Sequence, residues 1–382
     1  MPHDQERYFA NPTTGALRTP APHDELLASL ERINAFNPPV HTCSTNWSFH
    51  GFYTGPTSVA YLFHRLSQLY PDLEFKRQSL AEWAQEYLRL GAPSHRRAPT
   101  ASNCGIGNEA LAHLTMTALL KEDASVVSQL CSYEPTINDE TDDGSNEWLY
   151  GRAGYLYYLR LCKTSLRQIN HANIGSTIEK TVRRMLKVPK PWVWHGKQYL
   201  GAAHGTIGII CQIVLSMPEM AAQLHDLLTS VLAEQLDSGN FASSLRPGSS
   251  DKLVQFCHGG PGFVLSLRSL QPHYREDPAL QTKMASAIRR AQSDAWRRGL
   301  LTKTPCLCHG IAGNALAVDD RARFLHLLSF MGSEAMEERG WLRGIERGHD
   351  IASLYTGEAG RAWAWAVADK DLPKTCIGYN DV

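Results

Sequence analysis

The sequence predicts an all-α fold, an (α/α)7 toroid in which seven inner helices are surrounded by seven outer helices. A glycine-centred phrase recurs at intervals of 46 to 54 residues, and the segments directly after these glycines are apolar on nearly all sides. The segments between the phrases are amphipathic instead. A helix that is apolar all round is buried, whereas a helix with one apolar stripe lies on the outside. A period near fifty residues gives each unit room for two helices and two loops.

The glycine phrase occurs seven times along the chain. Its anchors are Gly55, Gly105, Gly151, Gly205, Gly259, Gly310 and Gly357. Because each anchor precedes an inner helix, the glycine loops should gather at one end of the ring, where helix N-termini favour anions such as thiolates. The copy at Gly105 is degenerate. Residues 24–33 and 77–88 are predicted as amphipathic helices.

The composition is that of an ordinary globular protein, and we expect one domain over residues 1–382 with residues 1–22 as a surface arm. Thirty-eight basic residues balance thirty-eight acidic ones, which argues against a nucleic-acid or membrane-surface partner. The chain has no apolar run of membrane-spanning length and no signal pattern at its start. Nine cysteines in a chain this long do not resemble a disulfide framework. We therefore expect a cytoplasmic protein whose reduced thiols are free to bind metal.

Two of the phrases carry a thiol next to an imidazole, Cys257-His258-Gly259-Gly260 and Cys308-His309-Gly310-Ile311. Cys257, Cys308 and His309 would supply two sulfurs and one nitrogen, a ligand set suited to tetrahedral zinc with one position left open. The alternative is that these are small buried residues, since free cysteine is often interior. Repetition at equivalent loop positions favours metal.

Two neighbouring residues compete for ligand status. Cys306 precedes the second phrase and His258 follows the first cysteine. Supporting residues around a metal usually outnumber its ligands, so we interpret both as structural residues beside the ligands.

His204 occupies the same loop position as the other two histidines, in a phrase that lacks the thiol. A histidine near a metal but not bound to it is a candidate general acid or base, and the alternative is a structural histidine that bridges loops. Glu147, four residues before Gly151, could point into the same end of the ring, although a solvated acidic residue is an equally good interpretation.

These motifs, together with the sevenfold spacing, resemble the lanthionine synthetase C-like family. The resemblance rests on Gly201-Ala202-Ala203-His204-Gly205, the phrase at Cys257, and Cys308-His309-Gly310-Ile311-Ala312-Gly313-Asn314. The Leu-Tyr-Gly-Arg-Ala-Gly-Tyr phrase at residues 149–155 and the Arg-x-Phe-x-Asn-Pro start at residues 7–12 are similar to the eukaryotic branch. Bacterial members add cysteine thiols to dehydroalanine or dehydrobutyrine. Eukaryotic members bind zinc and glutathione and are implicated in adding glutathione to such residues in proteins.

The resemblance implies one zinc ion per chain on the three residues named above, with His204 as the acid/base residue. Glu147 matches the position where bacterial enzymes carry a catalytic aspartate. Lys303, Arg7 and Arg347 match basic positions associated with glutathione, whose carboxylates such side chains would pair with.

The expected function is therefore a zinc-dependent addition of a thiol, that of glutathione, to dehydroalanine or dehydrobutyrine residues in peptides or proteins, with formation of a thioether. The alternative is a non-catalytic scaffold that binds zinc and glutathione and takes part in signalling.

Overall fold

The regular structure of the chain is helical apart from one small sheet. The computed structural model describes residues 7–12, 20–40, 47–91, 97–167, 169–246, 250–341 and 351–382. In these ranges the only strands are the antiparallel pair β1 (Glu74–Phe75) and β2 (Gln78–Ser79). The predicted all-α fold class is confirmed. No helix in the described ranges combines the length and the apolarity that crossing a bilayer demands.

The inner layer consists of helices that are buried on nearly every side. They are α2 (Pro56–Leu69), α4 (Glu109–Lys121), α7 (Arg152–Ser165), α9 (Thr206–Ser216), α11 (Gly260–Leu270), α13 (Ile311–Leu316) and α16 (Glu358–Asp369). In α9, for example, every residue except Leu215 is buried. Each inner helix packs against the next one in this series, and α16 packs against α2, so the layer closes into a ring.

The outer layer consists of helices with one buried stripe. They are α1 (Pro22–Phe36), α3 (Leu80–Arg89), α5 (Ala124–Ser132), α8 (His171–Lys187), α10 (Ala221–Ala233), α12 (Pro278–Arg298) and α14 (Arg321–Ser329). Two short helices, α6 (Glu134–Ile137) and α15 (Ser333–Glu338), and two 3-10 turns, Pro218–Met220 and Gln271–Tyr274, complete the connections. The seven helix pairs of the predicted toroid are all present in the described ranges.

The first helix of the chain completes the outer layer, because α1 is the outer partner of the last inner helix, α16. Arg32 of α1 donates from Nε to Oε1 of Glu358 at 3.0 Å. Glu358 also pairs with Arg361, and both side chains are buried. Glu25 of α1 accepts from the backbone N–H of Ser333, which begins α15. Polar contacts between residues more than 300 positions apart thus join α1 to α15 and α16.

The segment that follows α16 packs among the inner helices. Tyr379 is fully buried, and its carbonyl accepts from Arg160 of α7 and Gln212 of α9. Trp148, in the loop before α7, donates from its indole N–H to the carbonyl of Gly378 at 3.1 Å. This segment therefore supports the loop end of the ring from inside.

In the degenerate repeat anchored at Gly105, α4 begins at Glu109, because the side chain of Asn108 accepts from the N–H of Leu111 and caps the helix. One expectation about element bounds requires correction. The helix predicted over residues 77–88 begins at Leu80, because residues 78–79 pair with β1 and Ser79 forms a capping box with Glu82.

We expect Glu358→Ala to lower the free energy of unfolding by about 3–5 kcal/mol, because it leaves the buried Arg361 guanidinium without its carboxylate partner. Arg183→Ala removes an exposed ion pair with Glu179 in α8 and should cost below about 1 kcal/mol. Urea denaturation of both variants measures the difference. Equal losses in the two variants would contradict a role of the buried pair in closing the ring.

Candidate active site

The loops that precede the inner helices are joined by a closed circle of backbone hydrogen bonds. In each loop an N–H close to the helix start donates to a carbonyl in the loop of the next repeat. The donor and acceptor pairs are Phe52 to Ile106, Ile106 to Trp148, Trp148 to Ala203, Ala203 to Cys257, Cys257 to Cys308, Cys308 to Tyr355 and Tyr355 to Tyr53, at 3.0 to 3.4 Å. The predicted site residues extend from this circle, which brings together repeats that are distant in sequence.

Cys257 and Cys308 occupy neighbouring positions in the circle, and both are buried. Their thiols share a hydrogen bond. The hydroxyl of Tyr53 donates to Cys308 Sγ at 3.1 Å, and the amide of Gln255 donates to Cys257 Sγ at 3.1 Å. Each sulfur therefore has a donor of its own that stabilises negative charge on the pair.

The shared hydrogen bond moves the pKa values of the two thiols in opposite directions. It is the largest cause that lowers the pKa of Cys257, with help from Gln255 and Lys303 and against burial. The same hydrogen bond, followed by burial, raises the pKa of Cys308. The two thiols therefore differ in acidity, and Cys257 is the more acidic of the pair.

The donor chemistry of this cluster fits zinc. Two cysteine sulfurs lie together, and the adjoining residue, His309, has a pKa lowered by burial and then by Lys303, so its imidazole is in the neutral form that binds metals. Among the residues that the structure describes, no three His, Cys, Asp or Glu side chains form a ready metal-binding group. The zinc site on Cys257, Cys308 and His309 therefore stays a prediction.

His204 is held by a buried carboxylate. Its Nδ1 lies 2.7 Å from Oε2 of Glu147, which is 1% exposed. The same carboxylate accepts from the backbone N–H groups of Leu149 and Tyr150. Glu147 is therefore not a solvated acid. Because a carboxylate only accepts, Nδ1 of His204 carries a hydrogen and Nε2 is left for proton transfer.

Aromatic rings cover His204. The ring of Trp194 lies parallel to the imidazole with centroids 4.1 Å apart, and Tyr150 lies parallel to it at 6.3 Å. Tyr199 and His258 approach at 5.8 and 5.7 Å. A cleft of about 280 Å³ opens beside His204, between the loop that carries Trp194 and the loop that carries Glu147. The imidazole can thus meet a substrate that enters this cleft.

His258 and Cys306, interpreted above as structural residues, lie at the edge of the cluster. Burial, followed by the charges of His204 and Lys303, lowers the pKa of His258 to about 4. Its Nδ1 is buried without a hydrogen-bond partner among the described residues. Burial raises the pKa of Cys306 to about 12. Both side chains are therefore neutral at pH 7.

Two of the three predicted glutathione contacts are brought together. The N–H of Thr302 donates to the carbonyl of Arg7 at 3.0 Å, and Tyr8 pairs with Leu301, so the N-terminal segment lies along the residues that lead to Lys303. The charge of Lys303 adds, after the hydrogen bond described above, to the lowered pKa of the nearby Cys257 thiol. Arg347 lies outside the described residues.

Three residues of the site are not among those predicted from the sequence, namely Tyr53, Gln255 and Trp194. A signal for Tyr53 exists, because it stands two residues before Gly55, the position that the two cysteines occupy before their own glycines. Trp194 lies in a loop outside the repeated phrase, so the period carries no information about it.

With this geometry in hand, comparison with known proteins identifies the family. A sequence model of the family described as lanthionine synthetase C-like protein matches residues 47–370. The chain belongs to this family. Glutathione S-transferase LANCL1 of Danio rerio is 27% identical over 290 residues, which cover 69% of this chain and 67% of that relative. The resemblance drawn from the motifs is thereby confirmed, and the name of this one relative refers to glutathione.

We expect Tyr53→Phe to raise the pKa of Cys308 in the metal-free protein, because the variant loses the hydrogen bond that stabilises the thiolate form of this residue. A hydrogen bond to a charged group contributes about 1.5–3 kcal/mol, or roughly one to two pKa units. The rate of alkylation by iodoacetamide, followed against pH, measures the shift. Tyr274→Phe removes a buried hydroxyl with no hydrogen-bond partner among the described residues and serves as the control. An unchanged pH profile in Tyr53→Phe would contradict the assignment.

Proposed function

We propose that this protein is a zinc-dependent enzyme that adds the thiol of glutathione to dehydroalanine or dehydrobutyrine residues in peptides or proteins, forming a thioether. The observation that carries the proposal is that a paired-thiol cluster, Cys257 and Cys308, shares one circle of loops with a histidine held by a buried carboxylate. Such an addition needs a sulfur nucleophile and a proton donor at the same substrate. The relative named as a glutathione S-transferase supports glutathione as the thiol.

We assign Cys257, Cys308 and His309 as the ligands of one zinc ion per chain. When bound there, zinc would lower the pKa of a coordinated thiol. Three protein ligands would leave one position for that thiol. The hydrogen bonds from Tyr53 and Gln255 would hold the cysteine sulfurs in place, since partners of metal ligands fix their orientation.

In the proposed addition, every bond and proton is accounted for. A C–S bond forms between the glutathione sulfur and the β-carbon of the dehydro residue, while the electron pair of the double bond moves toward the adjoining carbonyl. The α-carbon then takes up one proton, and the thiol has lost one. His204 can accept the thiol proton on Nε2 and return it to the α-carbon, so that no proton is gained or lost overall.

Glu147 makes this proton transfer possible by its position. Its carboxylate fixes the ring orientation of His204 and compensates the positive charge of the doubly protonated imidazole. The parallel ring of Trp194 covers one face of the imidazole and limits the approach of water. Glu147 is thus a positioning residue rather than a proton donor.

Basic side chains are proposed to hold glutathione. Lys303 lies close enough to the cysteine pair for its charge to act there, and Arg7 lies along the neighbouring segment. Their pairing with the glutathione carboxylates would orient the thiol toward the cluster. Arg347 is proposed for the same role. A reducing compartment, the cytoplasm, would keep the paired thiols available, and the eight cysteines of the described residues are free thiols.

The zinc assignment predicts that Cys257→Ala/Cys308→Ala loses the metal and keeps the fold, because the ring has a large core of its own. Metal content by mass spectrometry and circular dichroism of the same sample measure both. Full zinc occupancy in the double variant would remove these residues as ligands.

The acid/base assignment predicts that His204→Asn keeps zinc and glutathione but slows addition by about 10²–10⁴-fold, the usual contribution of such a group. Adduct formation on a dehydroalanine peptide, followed by mass spectrometry, measures the rate, and metal content and melting temperature are determined on the same preparation. His225→Asn, on the outer helix α10, is the matched control.

Three outcomes would contradict parts of the proposal. Addition at the wild-type rate in His204→Asn would remove its acid/base role, and loss of zinc would make it a ligand. A wild-type protein that binds zinc and glutathione yet forms no adduct would favour the scaffold instead.

A further inference from the structure

A second cavity at the loop end of the ring lies away from the cysteine pair, at the degenerate second repeat. It has a volume of about 510 Å³ and is bounded by the loops of the first three repeats, including His50, Asn103 and Tyr150. Pockets that bind small molecules or peptide side chains have volumes of about 300–1,000 Å³. This cavity is therefore large enough for two or three residues of an extended peptide.

The cavity borders the second repeat, which departs from the pattern of the others. Its helix begins at Glu109, with Asn108 rather than glycine as the capping residue. Ile106 occupies the position in the hydrogen-bonded circle at which repeats five and six carry cysteine. Gly107 lines the cavity and contributes no side chain to fill it. The second repeat thus leaves room for the cavity at the loop end of the ring, on which the candidate active site also lies.

Tyr150 connects the cavity to the candidate active site. Its ring lines the cavity and lies parallel to the rings of Trp194 and His204, with centroids 5.9 and 6.3 Å apart. A chain that passes over Tyr150 would place one residue at His204 and its neighbours in the cavity. Tyr150 thus belongs both to the cavity wall and to the group of aromatic rings around His204.

The charges of the cavity wall favour an acidic occupant. Arg97 lines the cavity, is exposed, and has no ion-pair partner among the described residues. The one described carboxylate of the lining, Glu109, is buried, and its oxygens accept from the N–H of Gly51 and the hydroxyl of Thr57. An entering side chain therefore meets the guanidinium rather than the carboxylate.

We propose that this cavity is the subsite for the segment of the peptide substrate that flanks the reacting residue, and that Arg97 gives it a preference for acidic side chains. The proposal rests on the proposed function for the identity of the reacting residue. It adds where the peptide lies and which peptides bind best. The cysteine pair and Lys303 remain the place of glutathione, on other loops of the ring.

The test measures binding without turnover. Fluorescent peptides that carry alanine at the reacting position, flanked by either glutamate or lysine, are titrated with the full-length, zinc-loaded protein, and fluorescence anisotropy gives Kd. We expect the glutamate peptide to bind more tightly, with an advantage that shrinks as salt is added. Arg97→Glu should weaken the glutamate peptide about tenfold and strengthen the lysine peptide, since it reverses the charge at the wall.

Two further variants separate the subsite from general charge and from folding. Arg167→Glu reverses a charge beyond the C-terminal end of α7, at the opposite end of the ring, and should leave both peptides unchanged. Asn103→Trp fills the cavity and should weaken both peptides while glutathione affinity by calorimetry stays at the wild-type value.

The outcomes distinguish this proposal from the proposed function. Peptide binding that depends on Arg97 and Asn103 supports the subsite even if no glutathione adduct forms. Equal Kd values for the two peptides in the wild type and in Arg97→Glu, unchanged binding in Asn103→Trp, or no binding at all would overturn it, whether or not adducts are made.

Discussion

The candidate site depends on the circle of backbone hydrogen bonds that joins the seven loops. Each loop would otherwise leave polar N–H and carbonyl groups buried at the start of an inner helix, at a cost of about 1–3 kcal/mol for each unpaired group. Pairing every loop with the next satisfies these groups and fixes the height of the loops relative to one another. Side chains at equivalent positions of neighbouring loops are therefore held at the same level along the ring axis. For this reason the thiols of Cys257 and Cys308, in repeats five and six, lie next to each other.

The chemistry of the cluster follows from that meeting. Burial alone would keep both thiols protonated, as it does for Cys306. At Cys257 the mutual hydrogen bond, followed by the Gln255 donor, instead lowers the pKa of the thiol, and Tyr53 donates to the sulfur of Cys308. Two repeats earlier, Glu147 accepts from two backbone N–H groups and also contacts His204. Side-chain donors at the cysteines and backbone donors at Glu147 thus hold the polar groups of the candidate site in place.

The sequence predicts those features that recur with the period. The inner helices, the location of the glycine loops at one end and the neighbouring cysteines all follow from it, because residues at equivalent positions of a ring lie on the same face. Contacts between residues at non-equivalent positions of the repeats cannot be predicted from the spacing. The pairing of α1 with α16, the burial of Glu147 against His204 and the stacking of Trp194 each join positions that no repeat relates. The start of α4 at Glu109 does not follow from the glycine spacing either, because asparagine, not glycine, caps this helix.

A circle with a fixed direction of donation has a consequence for how such a protein can diverge. Open repeat arrays gain or lose units at their ends, because each unit contacts only its neighbours. Here a duplicated or deleted unit would change the circumference of the ring. The hydrogen-bond geometry between neighbouring loops would then be disturbed around the whole ring. The number of repeats is therefore fixed, and new functions have to arise from substitutions in the loops of the existing repeats. A unit that has lost its original phrase, such as the second one, is the place where a new specificity can be acquired without disturbing the rest.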